Sequence, residues 1–137
     1  MVCVFFGHRD APEELKPRLR QAVVTLIKEQ GVRQFYVGHQ GRFDGMVQAV
    51  LKELSAEYPI EYGVVLAYLP KEGDPTIEHS VVWEGLEEVP PRYAIDRRNR
   101  WMVERCDYLI GYQRKSFGGA ATFIALAMRK KKNVILI

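Results

Sequence analysis

No apolar run in this 137-residue sequence approaches the roughly 20 residues needed to cross a bilayer, and the start has neither the basic region nor the cleavage site of a secretory signal. The expected location is therefore the cytoplasm, with no membrane partner. Cysteine is scarce. Cys3 and Cys106 form no C-x-x-C pair, and each falls in or beside an apolar stretch, so both are expected to be reduced, inert core thiols. His8, His39 and His79 show no metal-ligand spacing, and no metal site is expected. Neither the full G-x-G-x-x-G fingerprint nor the P-loop lysine pattern occurs. Linkers and internal repeats are missing too, which leaves a single domain over residues 1–137. Charge of one sign is also in short supply: 20 Lys and Arg against 17 Asp and Glu give a net charge of +3. Part of that excess is the run Arg129-Lys130-Lys131-Lys132, where cations complement the end of a helix. Nothing here makes the basic track that nucleic-acid binding requires, so single-stranded DNA ranks third among the expected ligands.

What the sequence has is alternation of short apolar runs with helical stripes. Val2 to Phe6 reads as a strand covered on both faces. Asp10, Pro12 and Glu13 then look like a helix start with a capping box. Leu15, Leu19, Ala22, Val23, Leu26 and Ile27 form one apolar face, closed by Gly31. Phe35 to Val37 is a second strand, the glycine-rich loop Gly38 to Gly45 follows, and Met46, Val47, Val50, Leu51 and Leu54 mark a second helix before Pro59. Tyr62 to Leu69 is a third strand, and Pro70 to Pro91 an irregular segment in which Val81-Val82-Trp83 is a small extended piece. A short helix capped by Asp96, a fourth strand at Tyr108 to Tyr112, a helix opening at Gly118-Gly119 and a fifth strand at Val134 to Ile137 complete the chain.

Such alternation predicts an α/β, Rossmann-like three-layer domain with a five-stranded, mainly parallel sheet of order 3-2-1-4-5. Ligands of such sheets bind at the carboxyl ends of the strands beside the point where the order reverses. Three glycine-bearing loops should converge there: Gly7-His8-Arg9-Asp10, Gly38 to Gly45, and Gln113 to Gly119. Glycines let backbone approach a ligand, and the first N–H groups of a helix are unpaired, which suits phosphate.

The segments FFGHRD, YVGHQGRFDGMV, VLAYLP, EGLEEVPPRYAIDRRNRWMVERCDYLIGY and the late GGA, which together span nearly the whole chain, resemble the small bacterial SLOG-superfamily proteins. Those are Rossmann-like domains related to the LOG (lysine decarboxylase-like) nucleotide phosphoribohydrolases and to DNA-processing protein A. The resemblance implies a pocket for a nucleotide or nucleotide derivative. Arg98-Asn99 followed by Met102 is similar to the R-K-x-x-M segment of the LOG enzymes, which makes Arg98 the position for a phosphate-contacting or catalytic arginine. Gly118, Gly119 and Thr122 resemble part of P-G-G-x-G-T-x-x-E, but Phe117 stands at the proline and Ala125 at the glutamate. An alanine carries no proton and stabilises no developing positive charge, so a hydrolase would have to recruit another carboxylate, Glu84 or Asp44.

The expected site therefore comprises Gly7, His8, Arg9, Gly38, Gly41, Asp44, Asn99, Gly118, Gly119 and Ala120 around the ligand, with Arg98 and Glu84 as the catalytic candidates. His8 either donates to a phosphate or sugar oxygen or bonds nearby backbone. Asp44 either caps the second helix or holds a ribose. Trp83, Trp101, Phe43 and Tyr93 are core or lid aromatics, any one of which is a candidate to stack on a base. The expected function is binding of a nucleotide-type small molecule, as a sensor or regulator. The alternative is a nucleoside-monophosphate N-glycosidase or nucleotide hydrolase. No other cofactor is expected, and self-association through the apolar helix after Gly119 competes with burial of that helix on its own sheet.

Overall fold

The computed structural model describes residues 1–137. Six parallel strands form one sheet: β1 (Val2–Gly7), β2 (Gln34–Val37), β3 (Glu61–Val65), β4 (Ser80–Val81), β5 (Tyr108–Tyr112) and β6 (Asn133–Leu136). Four helices connect them: α1 (Lys16–Gln30), α2 (Gly41–Ser55), α3 (Ala94–Arg105) and α4 (Gly119–Arg129). The strand order is β4-β3-β2-β1-β5-β6. The expected five strands of order 3-2-1-4-5 are thus corrected to six, because Ser80 and Val81 pair with Val64 and Val65 and extend the sheet beyond β3.

β1 shows why its run is continuously apolar. Cys3 and Phe5 pack with α1 and α2 on one face, while Val4 and Phe6 pack with α3 and α4 on the other. Period-two alternation with both faces covered leaves no polar position. On α1, Leu19, Val23, Leu26 and Ile27 are buried, and Gly31 ends the helix at φ 70°, a left-handed conformation that favours glycine. The buried face of α4, Ala120, Ala121, Phe123, Ile124 and Ala127, lies on its own sheet. That packing accounts for the apolar pattern without a partner chain. Cys3 and Cys106 are free and buried, and burial pushes both thiols up, Cys106 to about 11. No helix is long and apolar enough to cross a membrane.

Four local expectations are revised. β3 stops at Val65; Leu66 and Ala67 stay buried beyond it, Leu66 in the cluster with Trp83 and Leu86. Arg42 to Gly45 belong to α2 rather than to a loop. Asp10 caps nothing: a 3₁₀ turn at Glu13–Leu15 precedes α1, and the Asp10 carboxylate takes Lys115 Nζ at 3.1 Å instead. Asp96 lies inside α3, paired with Arg100 at 2.8 Å, and the helix starts at Ala94 without a side-chain cap.

Candidate functional site

β1 is flanked by β2 and β5, and the crossover direction reverses between β1 and β5. At the carboxyl end of these strands a cavity of about 750 Å³ opens. That volume falls within the roughly 300–1,000 Å³ of small-molecule sites. Its wall is built from the end of β1 (Phe5 to Asp10), from Gly38, Gln40, Arg42 and Asp44, from Ile95, Arg98, Asn99 and Met102 of α3, and from Lys115 and Phe117 to Ala120.

Gly38 is the point around which the charged groups close. A Cβ there would lie 2.8 Å from Asp44 Oδ2 and 3.0 Å from Arg98 Cζ and Nη1, so only glycine lets both side chains approach this backbone. Asp44 Oδ2 accepts the Gln40 N–H at 2.9 Å, reaching back to the start of α2 from within its first turn. Burial pushes its carboxyl from the usual 3.8 up to about 6, against the opposing pull of that hydrogen bond and of Arg98 and Arg9. Arg98 is 2% exposed. Its Nε donates to Asn99 Oδ1 at 2.8 Å and its Nη1 to the Val65 carbonyl at 3.2 Å. Nη2 makes no protein hydrogen bond, yet no buried side-chain nitrogen is left without a partner, so Nη2 reaches the open cavity. Burial lowers the Arg98 pKa, with Asp44 opposing. A guanidinium so deeply enclosed with a donor unspent is set up for an incoming anion.

The opening of α4 offers a second anion contact. Gly118, at φ 95°, stands at the cap position with no side-chain bond, and the first backbone bond back to it comes from Thr122 N at 3.1 Å. The N–H groups of Gly119 to Ala121 are therefore free at the positive end of the helix. The start of α2 is less available, because Arg42 N is already spent on the Arg9 carbonyl at 2.9 Å. Arg9, Arg42, Arg98 and Lys115 line the cavity against only two carboxylates, Asp10 and Asp44. Lys115 and Asp10 face one another through exposed groups, a pair that an anion can readily replace.

Most of the expected site residues meet here. Gly7, His8, Arg9, Gly38, Asp44, Arg98, Asn99, Gly118, Gly119 and Ala120 all line the cavity. Gly41 stands just behind it, at φ 84°, where a Cβ would lie 2.8 Å from the Arg9 Cα. Glu84 is the exception: it is exposed and outside the cavity, so the catalytic role expected for it is not supported by position. His39 is exposed and meets Gln48 rather than the cavity. Gly7 serves packing as well as access, since a Cβ there would run into the Phe43 ring. Trp83 is bonded to the Leu66 carbonyl in the core, Trp101 packs edge-on to Tyr36, and Phe43 is fully buried; none of the three lines the cavity.

Sequence reasoning missed Arg42, Lys115 and Phe117. Phe117 is 71% exposed and lies on the cavity wall beside the free α4 amides. Its signal was a large aromatic immediately before a glycine pair in an otherwise polar loop. Compared with known proteins, the chain matches no family model and no curated protein.

Proposed function

We propose that the chain binds a nucleotide or nucleotide-derived small molecule at the carboxyl edge of its sheet, as the SLOG resemblance implies. The observation that carries this reading is the meeting, in one cavity, of the unspent Arg98 Nη2 and the uncapped start of α4, with four cationic side chains against two carboxylates. Phosphate sits between the Gly119 to Ala121 amides and Arg98, with Lys115 and Arg9 adding charge. Asn99 and Asp44 take the ribose; in support, Asn99 keeps its amide donors while its Oδ1 is held by Arg98. Phe117 supplies a face for the base. A thermal-shift series with nucleosides, mononucleotides, dinucleotides and ADP-ribose derivatives tests the reading. Stabilisation that requires the phosphate is expected; a flat response to every phosphorylated compound rejects it.

A second reading, hydrolysis of the base–ribose bond of a nucleoside monophosphate, is favoured by Asp44. With Glu84 out of reach, Asp44 is the carboxyl group held beside Arg98 in the cavity, and its pKa of about 6 suits proton transfer near neutrality. Incubation with a panel of nucleoside monophosphates should release free base, and D44N should abolish release while the protein still binds the nucleotide. Absence of free base leaves binding alone.

A further inference from the structure

The histidine after β1 has a bonding pattern that the proposed function does not use. His8 Nε2 accepts two consecutive backbone N–H groups, from Arg114 at 2.8 Å and from Lys115 at 3.1 Å, more than a hundred positions along the chain. Accepting requires a lone pair, so Nε2 is unprotonated and the ring proton sits on Nδ1. Nδ1 has no protein partner and, in the absence of any buried unpaired side-chain nitrogen, reaches the cavity space. The ring itself is buried and held edge-on to Tyr112 at 5.9 Å.

The segment it grips is otherwise thinly held. Arg114 to Gly118 are exposed; beyond local bonds with Gln113 and the two that Thr122 donates to the Gly118 carbonyl, their ties to the rest of the fold are Arg114 Nη1 to the Ile137 carbonyl at 3.2 Å, Arg114 over the Tyr112 ring, and Lys115 to Asp10. Yet this segment carries Lys115, Phe117 and the glycine that opens α4. We propose that His8 is a positioning residue: as a neutral ring it clasps the Gln113–Gly118 segment to β1 and so sets Lys115, Phe117 and the α4 amides in the anion site. The effect on ligand binding rests on the nucleotide reading; the clasp itself does not.

Protonation of Nε2 converts the acceptor into a donor facing two donors, and the clasp opens. The charged ring would also meet Arg114 and Lys115 on the gripped segment and Arg9 on its own loop, with Asp10 the nearest compensation. Across the cavity, Arg42 and Asp44 of α2 and Arg98 of α3 complete the charged surroundings. The sign of the consequence is distinctive. A histidine that grips phosphate by its charge strengthens binding on acidification, whereas a clasp that must stay neutral weakens it. Protonation of Asp44 acts in the opposite sense, by removing a negative charge from the site.

The test compares wild type with H8Q, whose side-chain oxygen accepts hydrogen bonds but does not titrate, and with H8A. In the ligand-free protein, nitrogen-15 spectra of the ring should show the Nδ1–H tautomer at pH 8. Amide-exchange protection of Arg114 and Lys115, corrected for intrinsic rates, should be similar in wild type and H8Q and about tenfold lower in H8A. As the pH is lowered from 8, the wild-type protection should fall towards the H8A level while H8Q holds. Titration with adenosine 5′-monophosphate should then show wild-type affinity falling relative to H8Q over the same range, the ligand's own ionisation being common to both. An Nε2–H tautomer, pH-independent protection in wild type, or one shared pH profile overturns the clasp. If this nucleotide binds at no pH, the clasp is judged by the amides alone, and the nucleotide reading stands or falls by the series of phosphorylated compounds.

Discussion

Asp44 costs the folded protein stability, and the sign of that cost can be worked out from its pKa. A carboxyl raised from 3.8 to about 6 on folding binds its proton more tightly in the native state. The penalty is therefore present in full above pH 6, shrinks as pH falls from 6 towards 3.8, and is gone below it. D44N keeps an acceptor for the Gln40 amide and removes the buried charge, so it should stabilise the protein by about 2–3 kcal/mol at pH 7.5 and by nothing at pH 3.5, measured by denaturant unfolding at both pH values. Equal effects at the two pH values would show that Asp44 is not strained by burial. Gly38 is the matching steric constraint. G38A places a methyl group against Asp44 and Arg98 and should cost about 1–3 kcal/mol of stability, together with measurable loss of ligand affinity. Phe117 is read through selectivity: F117A should weaken nucleotide binding by about tenfold, within the range of base–aromatic stacking, and leave ribose 5-phosphate affinity unchanged. The cavity-lining glycines were legible because backbone-permissive residues sat at strand and helix ends, whereas Arg98 and Asn99, in the middle of α3, were reached through the resemblance to the LOG segment. Phe117 and Lys115 were not legible, because the direction of a side chain from a loop is set by the fold, and Glu84 looked equivalent to Asp44 until burial separated them.

At the scale of elements, the long strands and helices could be read from periodicity, and the errors fall where periodicity has too few residues to speak. A two-residue strand such as β4 carries no alternation; it forms because Gly63 leaves room for Val81 beside Tyr36, where a Cβ would lie 2.5 Å from the Val81 side chain. α2 was hidden because Gly41 and Gly45 resemble a loop, although Gly41 starts the helix at φ 84° and Gly45 meets nothing within 4 Å. The capping expectations for Asp10 and Asp96 failed for another reason: both carboxylates found a cation, Lys115 and Arg100, that local spacing could not weigh against the backbone. The β4 pairing is also the weak edge of the sheet. Hydrogen exchange should show the amides of Val64 and Leu66, bonded to the His79 and Val81 carbonyls at 2.8 and 3.0 Å, opening well before those of β1 and β5. Equal protection across the sheet would mean that β4 is an integral strand rather than a loop docked on the edge.

The whole molecule places the cavity by topology. Parallel strands with α1 and α2 on one face and α3 and α4 on the other leave a crevice where the crossovers diverge, and the chain lines that crevice with glycines, free helix amides and a buried guanidinium. The general location was legible from the alternation of elements, whereas the balance of charge inside it required knowing which side chains turn inward. The central claim is that this edge holds the phosphate of a nucleotide-type ligand. Backbone amide shifts during titration with adenosine 5′-monophosphate, set against adenosine, test it most directly. Saturable shifts at Gly119, Ala120 and Ala121 and at the Arg98 side chain with the phosphorylated ligand, and little change with adenosine, are the predicted result. Shifts that fail to saturate, or that map to another face of the sheet, would contradict it.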